Sequence, residues 1–131
     1  MIGIPMFFEQ PSTFTGEAKQ QVVDTLRLFK SCRTDMLGQL VYPIGSPPDN
    51  ASFTGFQTYR ADRNHGYLLL FRELHAAVAQ GTLDLRFLSN RELRIEDLRS
   101  GKTTNVSLGP NGAFTWQIDA PADFALLRYS W

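Results

Sequence analysis

The side chains best suited to metal or nucleophilic chemistry are few: His65, His75 and Cys32. A zinc site needs three or four His, Cys or carboxylate ligands at short, recurring spacings. Neither histidine has a second ligand at such a spacing, so no metal or other cofactor is expected. His65 reads as a turn residue and His75 as a residue following a strand. Cys32 falls on the apolar side of a helical stretch, where a thiol packs as a small hydrophobe rather than attacking a substrate. A single cysteine also excludes an internal disulfide framework.

Paired carboxylates could do acid–base work. Glu73, Asp84, Glu92, Glu96, Asp97, Asp119 and Asp123 stand on strand exteriors or in turns, mostly beside arginine, and surface ion pairs account for them. Glu9 closes a short apolar run, the position of an acid lining a barrel mouth, and reads equally as a loop acid. Gly109-Pro110-Asn111-Gly112 opens onto a strand rather than a helix, so it is no phosphate loop. Its Asn-Gly pair favours a tight hairpin turn. Asn50-Ala51-Ser52 fits the glycosylation pattern without a secretory signal beside it. Tyr67, Trp116 and Trp131 could present flat apolar faces to a sugar ring, although Trp116 alternates with Phe114 and Ile118 as core residues do. No residue is assigned a catalytic, cofactor-binding or metal-binding role.

These side chains are carried by two textures of sequence. Residues 4–8 form a brief apolar run. Thr15 suits a helix N-cap, with Glu17 in the first turn against the positive helix end. Ala18, Val22, Leu26, Phe29, Arg33, Met36 and Leu40 then step by three or four, and Val23 and Cys32 widen the apolar stripe. The helix should end near Leu37 and Gly38. Gly45-Ser46-Pro47-Pro48-Asp49-Asn50 interrupts any regular element. Strands are expected at 40–44, 53–60, 67–74, 82–88, 91–98, 103–108, 113–118 and 124–131. The run 67–74 is apolar on both faces and so central. Within 82–88, Leu83, Leu85 and Phe87 share one face.

The expected architecture is mainly β: an antiparallel, Greek-key-like β-sandwich of seven or eight strands, preceded by one long amphipathic α-helix. Two parts are drawn, 1–45 with the short strand and helix, and 46–131 with the sandwich. The chain has 131 residues, 43% hydrophobic and 20% charged, enough for one real core. Thirteen basic and thirteen acidic side chains cancel, and the arginines are scattered singly, so neither nucleic acid nor an anionic membrane is an expected partner. No apolar run approaches the ~20 residues of a membrane-spanning helix. The start lacks the basic and apolar regions of a signal peptide, leaves the compartment open, and enters apolar sequence at once, as a segment cut from a longer protein would.

Four strings carry a resemblance: Val41-Tyr42-Pro43-Ile44-Gly45, Pro48-Asp49, Phe53-Thr54-Gly55-Phe56-Gln57 and Gly66-Tyr67-Leu68-Leu69-Leu70-Phe71-Arg72-Glu73. Together they resemble the C-terminal region of α-galactosidase-like glycoside hydrolases, in which an antiparallel sandwich follows a (β/α)8 catalytic barrel. The resemblance implies that residues 4–8 correspond to the last barrel strand and residues 15–37 to the last barrel helix or its linker. It implies a partner, the catalytic barrel of a parent enzyme, and places the two catalytic carboxylates upstream of this chain. The expected function is therefore a non-catalytic accessory domain, not an enzyme on its own. A free-standing carbohydrate-binding module is the alternative, and the helix stripe offers a surface for self-association.

Overall fold

The computed structural model describes residues 11–131. The expected run at 4–8 and Glu9 lie outside the described residues. The chain divides into two compact units, one ending at Gly38 and one running Gln39–Trp131.

The first unit holds helix α1, Gly16–Met36. Its start follows from Thr15, whose extended backbone turns the chain and whose hydroxyl accepts from the Ala18 N–H at 3.2 Å. Glu17 lies in the first turn and Arg33 in the last, each complementing the helix dipole. Phe29, Cys32 and Met36, three or four residues apart, are its buried side chains.

The second unit is the sandwich. Among the described residues it has eight strands: β1 Leu40–Gly45, β2 Phe53–Tyr59, β3 His65–Arg72, β4 Gln80–Asp84, β5 Glu92–Asp97, β6 Thr103–Ser107, β7 Ala113–Gln117 and β8 Asp123–Ser130. They form a six-stranded sheet in the order β1-β2-β3-β8-β5-β6 and a two-stranded sheet of β4 and β7, with every pairing antiparallel. β1 pairs with β2 along its whole length, so the boundary drawn at residues 45–46 falls in the connection between these two strands. Pro43 has no N–H to give a ladder, and β1 is an edge strand, where that lack is tolerated.

The pairings β3·β8, β4·β7 and β5·β6 are nested, as in a jelly roll, one long folded-back ribbon wound across two sheets. That nesting corrects one turn. Asn111-Gly112 does not close a hairpin, because β6 pairs with β5 while β7 pairs with β4. Gly112 still makes the turn, at φ 70° with its N–H on the Gly109 carbonyl, but the turn carries the chain from one sheet to the other. Tight hairpins lie instead at β2–β3, where Arg60 and His65 exchange backbone hydrogen bonds, and at β5–β6, where Asp97 N–H reaches the Lys102 carbonyl and Gly101 sits at φ 74°.

Register determines which residues meet, since directly opposed residues of an antiparallel pair share a face. Gln57, Leu68 and Leu127 lie in one row across β2, β3 and β8, and Gly55, Leu70 and Ala125 lie in the next. With Ile44, Leu93, Ile95 and Tyr129 they make the inner face of the large sheet, and Leu83 and Phe114 answer from the small one. Each buried leucine, isoleucine or phenylalanine among them is worth roughly 1.5–3 kcal/mol. β3 is buried at Tyr67 and Leu69 as well as at Leu68 and Leu70, which bears out its central position. Gly66 faces Tyr129 across the β3·β8 pair, and a Cβ there would lie 2.5 Å from the phenol oxygen. The glycine makes the slot in which that ring lies.

Two strands cannot cover six. The remaining inner surface is closed by the connection after β4, which sends Leu85 and Leu88 into the core. That connection and the end of β1 build the most distinctive surface of the sandwich.

Candidate functional site

The expected strand at 82–88 stops early. After Leu85, whose N–H still reaches the Gly112 carbonyl, Arg86 has both of its backbone groups taken by the Gln57 side chain. Gln57 Nε2 donates to the Arg86 carbonyl at 3.0 Å, and Gln57 Oε1 accepts from the Arg86 N–H at 2.8 Å. A side-chain amide thus stands in for a neighbouring strand. The same Nε2 donates to the Tyr129 hydroxyl at 3.1 Å, and that hydroxyl donates to the Thr58 carbonyl at 2.5 Å. Thr58 Oγ1 in turn accepts from the Tyr67 N–H at 2.8 Å.

Gln57, Thr58 and Tyr129 are fully buried, and burial pushes the Tyr129 phenol well above its ordinary range, keeping it neutral and able to donate. A buried polar group is costly unless satisfied, so this network specifies one arrangement of the 85–88 segment.

The next residue shows the consequence. Phe87 adopts φ 65°, left-handed backbone that bulky side chains rarely enter. Its ring is therefore not inward with Leu83 and Leu85 as alternation suggests. It is 56% exposed, and Leu88 takes the core position instead. The ring meets Tyr42 edge-on at 5.2 Å and Tyr59 at 5.1 Å. Tyr59 stacks on Trp131 at 5.2 Å with planes 6° apart, and Trp131 continues onto Tyr129 at 5.8 Å. Tyr42, Phe87, Tyr59 and Trp131 make a continuous aromatic ledge.

A groove of about 410 Å³ adjoins the ledge, lined by Pro43, Ile44, Gly45, Ser46, Thr82, Leu83, Asp84 and Arg86. Gly45 at φ 78° lets the end of β1 pass close to β4, since a Cβ there would stand 2.7 Å from Leu83 Cδ2. The Arg86 guanidinium joins groove to ledge, lying 5.7 Å from the centre of the Tyr42 ring. Among the described residues neither Arg86 nor Asp84 has an ion-pair partner. Thr82 Oγ1 shares a hydrogen bond with Thr115 Oγ1 at 2.8 Å.

The residues singled out in the sequence divide sharply. Of the sugar-platform candidates, Tyr67 is buried and Trp116 stacks on the core ring Phe114, while Trp131 belongs to the ledge. Glu73 Oε2 accepts from the Asp49 and Ser52 N–H groups and shapes the 46–52 loop. Glu96 pairs with Arg128 and Asp123 with Arg99, whereas Asp84 faces the groove without such a partner. His65 accompanies Tyr67 edge-on, and His75 is exposed. Cys32 is buried, its thiol bonded to helix carbonyls and pushed up by burial, the reverse of an activated nucleophile. Among the described residues no group of three or more His, Cys, Asp or Glu could hold a metal, and no helix is long and apolar enough to cross a membrane.

Fold and surface together define an antiparallel sandwich with an aromatic ledge and an adjoining polar groove. Comparison with family models, with curated proteins and with solved structures gave no match to the chain.

Proposed function

We propose that the chain is a non-catalytic accessory domain of an α-galactosidase-like glycoside hydrolase, packing on a catalytic barrel that carries the reacting carboxylates. One observation supports the reading above others. The strings that carry the resemblance fall on β1, β2 and β3 and the loop joining the first two, three successive strands paired edge to edge. In them Ile44, Leu68 and Leu70 build the core, and Gly45, Gly55 and Gly66 make close approaches. These are packing and turn features, in keeping with a supporting role for these strands, and none of them is a reactive group.

The chain on its own is then expected to leave aryl α- and β-galactosides unhydrolysed. Steady turnover that tracks the purified chain would overturn the proposal. A second test is the reading frame upstream of Met1, which should encode a (β/α)8 barrel with carboxylates at its strand ends.

A free-standing carbohydrate-binding module is the second reading, favoured by the ledge itself. The exposed Phe87 and the half-buried Tyr42, Tyr59 and Trp131, beside a polar groove, are a surface fitted to a ligand as much as to a neighbouring domain.

A further inference from the structure

We infer that the exposed Phe87 ring, at the open end of the aromatic ledge, forms with the groove side chains Asp84 and Arg86 a binding site for a neutral saccharide, while Tyr59 and Trp131, stacked on their neighbours, brace it from behind. The inference rests on the binding-module reading and gives it a site: failure of every saccharide would sink both, whereas unchanged affinity in Phe87→Gly would sink the site alone.

The protein gives up stability at this surface. A phenylalanine more than half exposed is poorly placed for stability, and one at φ 65° is strained as well. Strained backbone persists only where its surroundings impose it, and here the imposing group is identified. Gln57 holds both backbone groups of Arg86, the residue before Phe87. The clamp fixes Arg86, and the left-handed backbone that follows turns the Phe87 ring outward.

The chemistry beside the ring selects the ligand. A pyranose has an apolar face of C–H bonds, which lies on an aromatic ring, and a rim of vicinal hydroxyls, each both donor and acceptor. Asp84 offers two acceptor oxygens and Arg86 a planar fork of donors, and neither is held in an ion pair among the described residues. One carboxylate and one guanidinium leave the groove without net charge, so it favours neither an anion nor a cation. A proline-rich peptide would also suit exposed aromatic rings, but it brings few N–H groups and leaves the Asp84 carboxylate without donors.

The test uses the intact chain and nuclear magnetic resonance titration with neutral galacto-, gluco-, manno- and xylo-oligosaccharides, and with a proline-rich peptide as competitor class. At least one saccharide should shift the resonances of Tyr42, Tyr59, Arg86, Phe87 and Trp131 together. Phe87→Gly relieves the strained backbone and should keep the fold, as its amide spectrum will show, while weakening that saccharide about tenfold or more. Asp84→Asn and Arg86→Gln, both exposed, should each weaken it several-fold while the amide spectrum stays that of the folded domain. The inference is overturned if no saccharide at tens of millimolar moves these resonances. Unchanged affinity in Phe87→Gly, or a response of the ledge to the peptide alone, would overturn it equally.

Discussion

Replacing Gln57 with leucine tests the reasoning about the clamp most directly. The substitution removes three hydrogen bonds, of 2.8, 3.0 and 3.1 Å, from a residue with no solvent exposure. At about 1 kcal/mol net for each, the loss is about 3 kcal/mol. Two backbone groups of Arg86 are also left without their partner, which adds to the cost, while the leucine's apolar surface offsets part of it. The balance is a destabilisation of about 2–4 kcal/mol, a large share of the 5–15 kcal/mol typical of a domain. Urea denaturation followed by tryptophan fluorescence reads it as a lower midpoint at unchanged slope.

Gln57→Glu sharpens the test. An ionised carboxylate there accepts from the Arg86 N–H but has no donor for the Arg86 carbonyl or the Tyr129 hydroxyl. Burial raises its folded-state pKa above the unfolded value of about 4.3. Its penalty relative to the parent is therefore smallest below that value, grows as pH rises, and levels off above the folded-state pKa. A loss under about 1 kcal/mol in Gln57→Leu would refute the clamp. So would a penalty in Gln57→Glu that does not grow with pH.

Five further outcomes follow from the structure. Phe87→Gly should leave stability within about 1 kcal/mol of the parent, because relief of left-handed strain offsets two lost ring contacts. Phe87→Val, which loses the same contacts and puts a β-branched residue at that φ, should be less stable than Phe87→Gly by about 1–2 kcal/mol in thermal melts. Tyr129→Phe should cost about 1–3 kcal/mol by leaving the Thr58 carbonyl without its donor, and in the parent this phenol should stay un-ionised in an alkaline absorbance titration until the domain unfolds. Asp49 is held below the usual carboxylate range chiefly by the Ala51 N–H, so its support of the 46–52 loop is present above about pH 3.9 and lost as pH falls through its lower folded value, which the Ala51 amide shift reports. Cys32 should react with a thiol reagent far more slowly in the native chain than in urea, because burial raises its pKa and shields it.

The elements most legible in the sequence are those whose reasons are local. Thr15 and Glu17 announce the helix start, and the alternations of Leu83 with Leu85 and of Leu93 with Ile95 place inward residues that the sandwich confirms. What local pattern cannot carry is pairing between distant strands. Nothing in Ala113–Gln117 says that its neighbour is Gln80–Asp84, and the Asn111-Gly112 turn misleads for that reason. The ledge was hidden for a related reason. Gln57 lies in the alternating row Gly55, Gln57, Tyr59, where an uncharged amide on the inward side is the one available hint of a buried bond. Its partners lie 29 and 72 residues away. Without that bond, Phe87 belongs with Leu85, and Asp84 reads as one more surface acid.

The place of β8 has a consequence for how the domain comes into being. It is the last of the eight strands along the chain, yet it lies between β3 and β5, with its ladder to β3 joining residues roughly 50 or more apart. During synthesis β1, β2 and β3 can pair as they emerge, and so can β5 with β6, but the two groups have no shared sheet until β8 arrives. Until then β3 and β5 each expose an open edge and an apolar face, the condition in which nascent chains aggregate. Such non-local closure also slows folding. The sandwich should therefore fold late and cooperatively. A ribosome-bound nascent chain stalled before residue 123 should remain protease-sensitive, whereas one with residue 131 clear of the exit tunnel should become resistant.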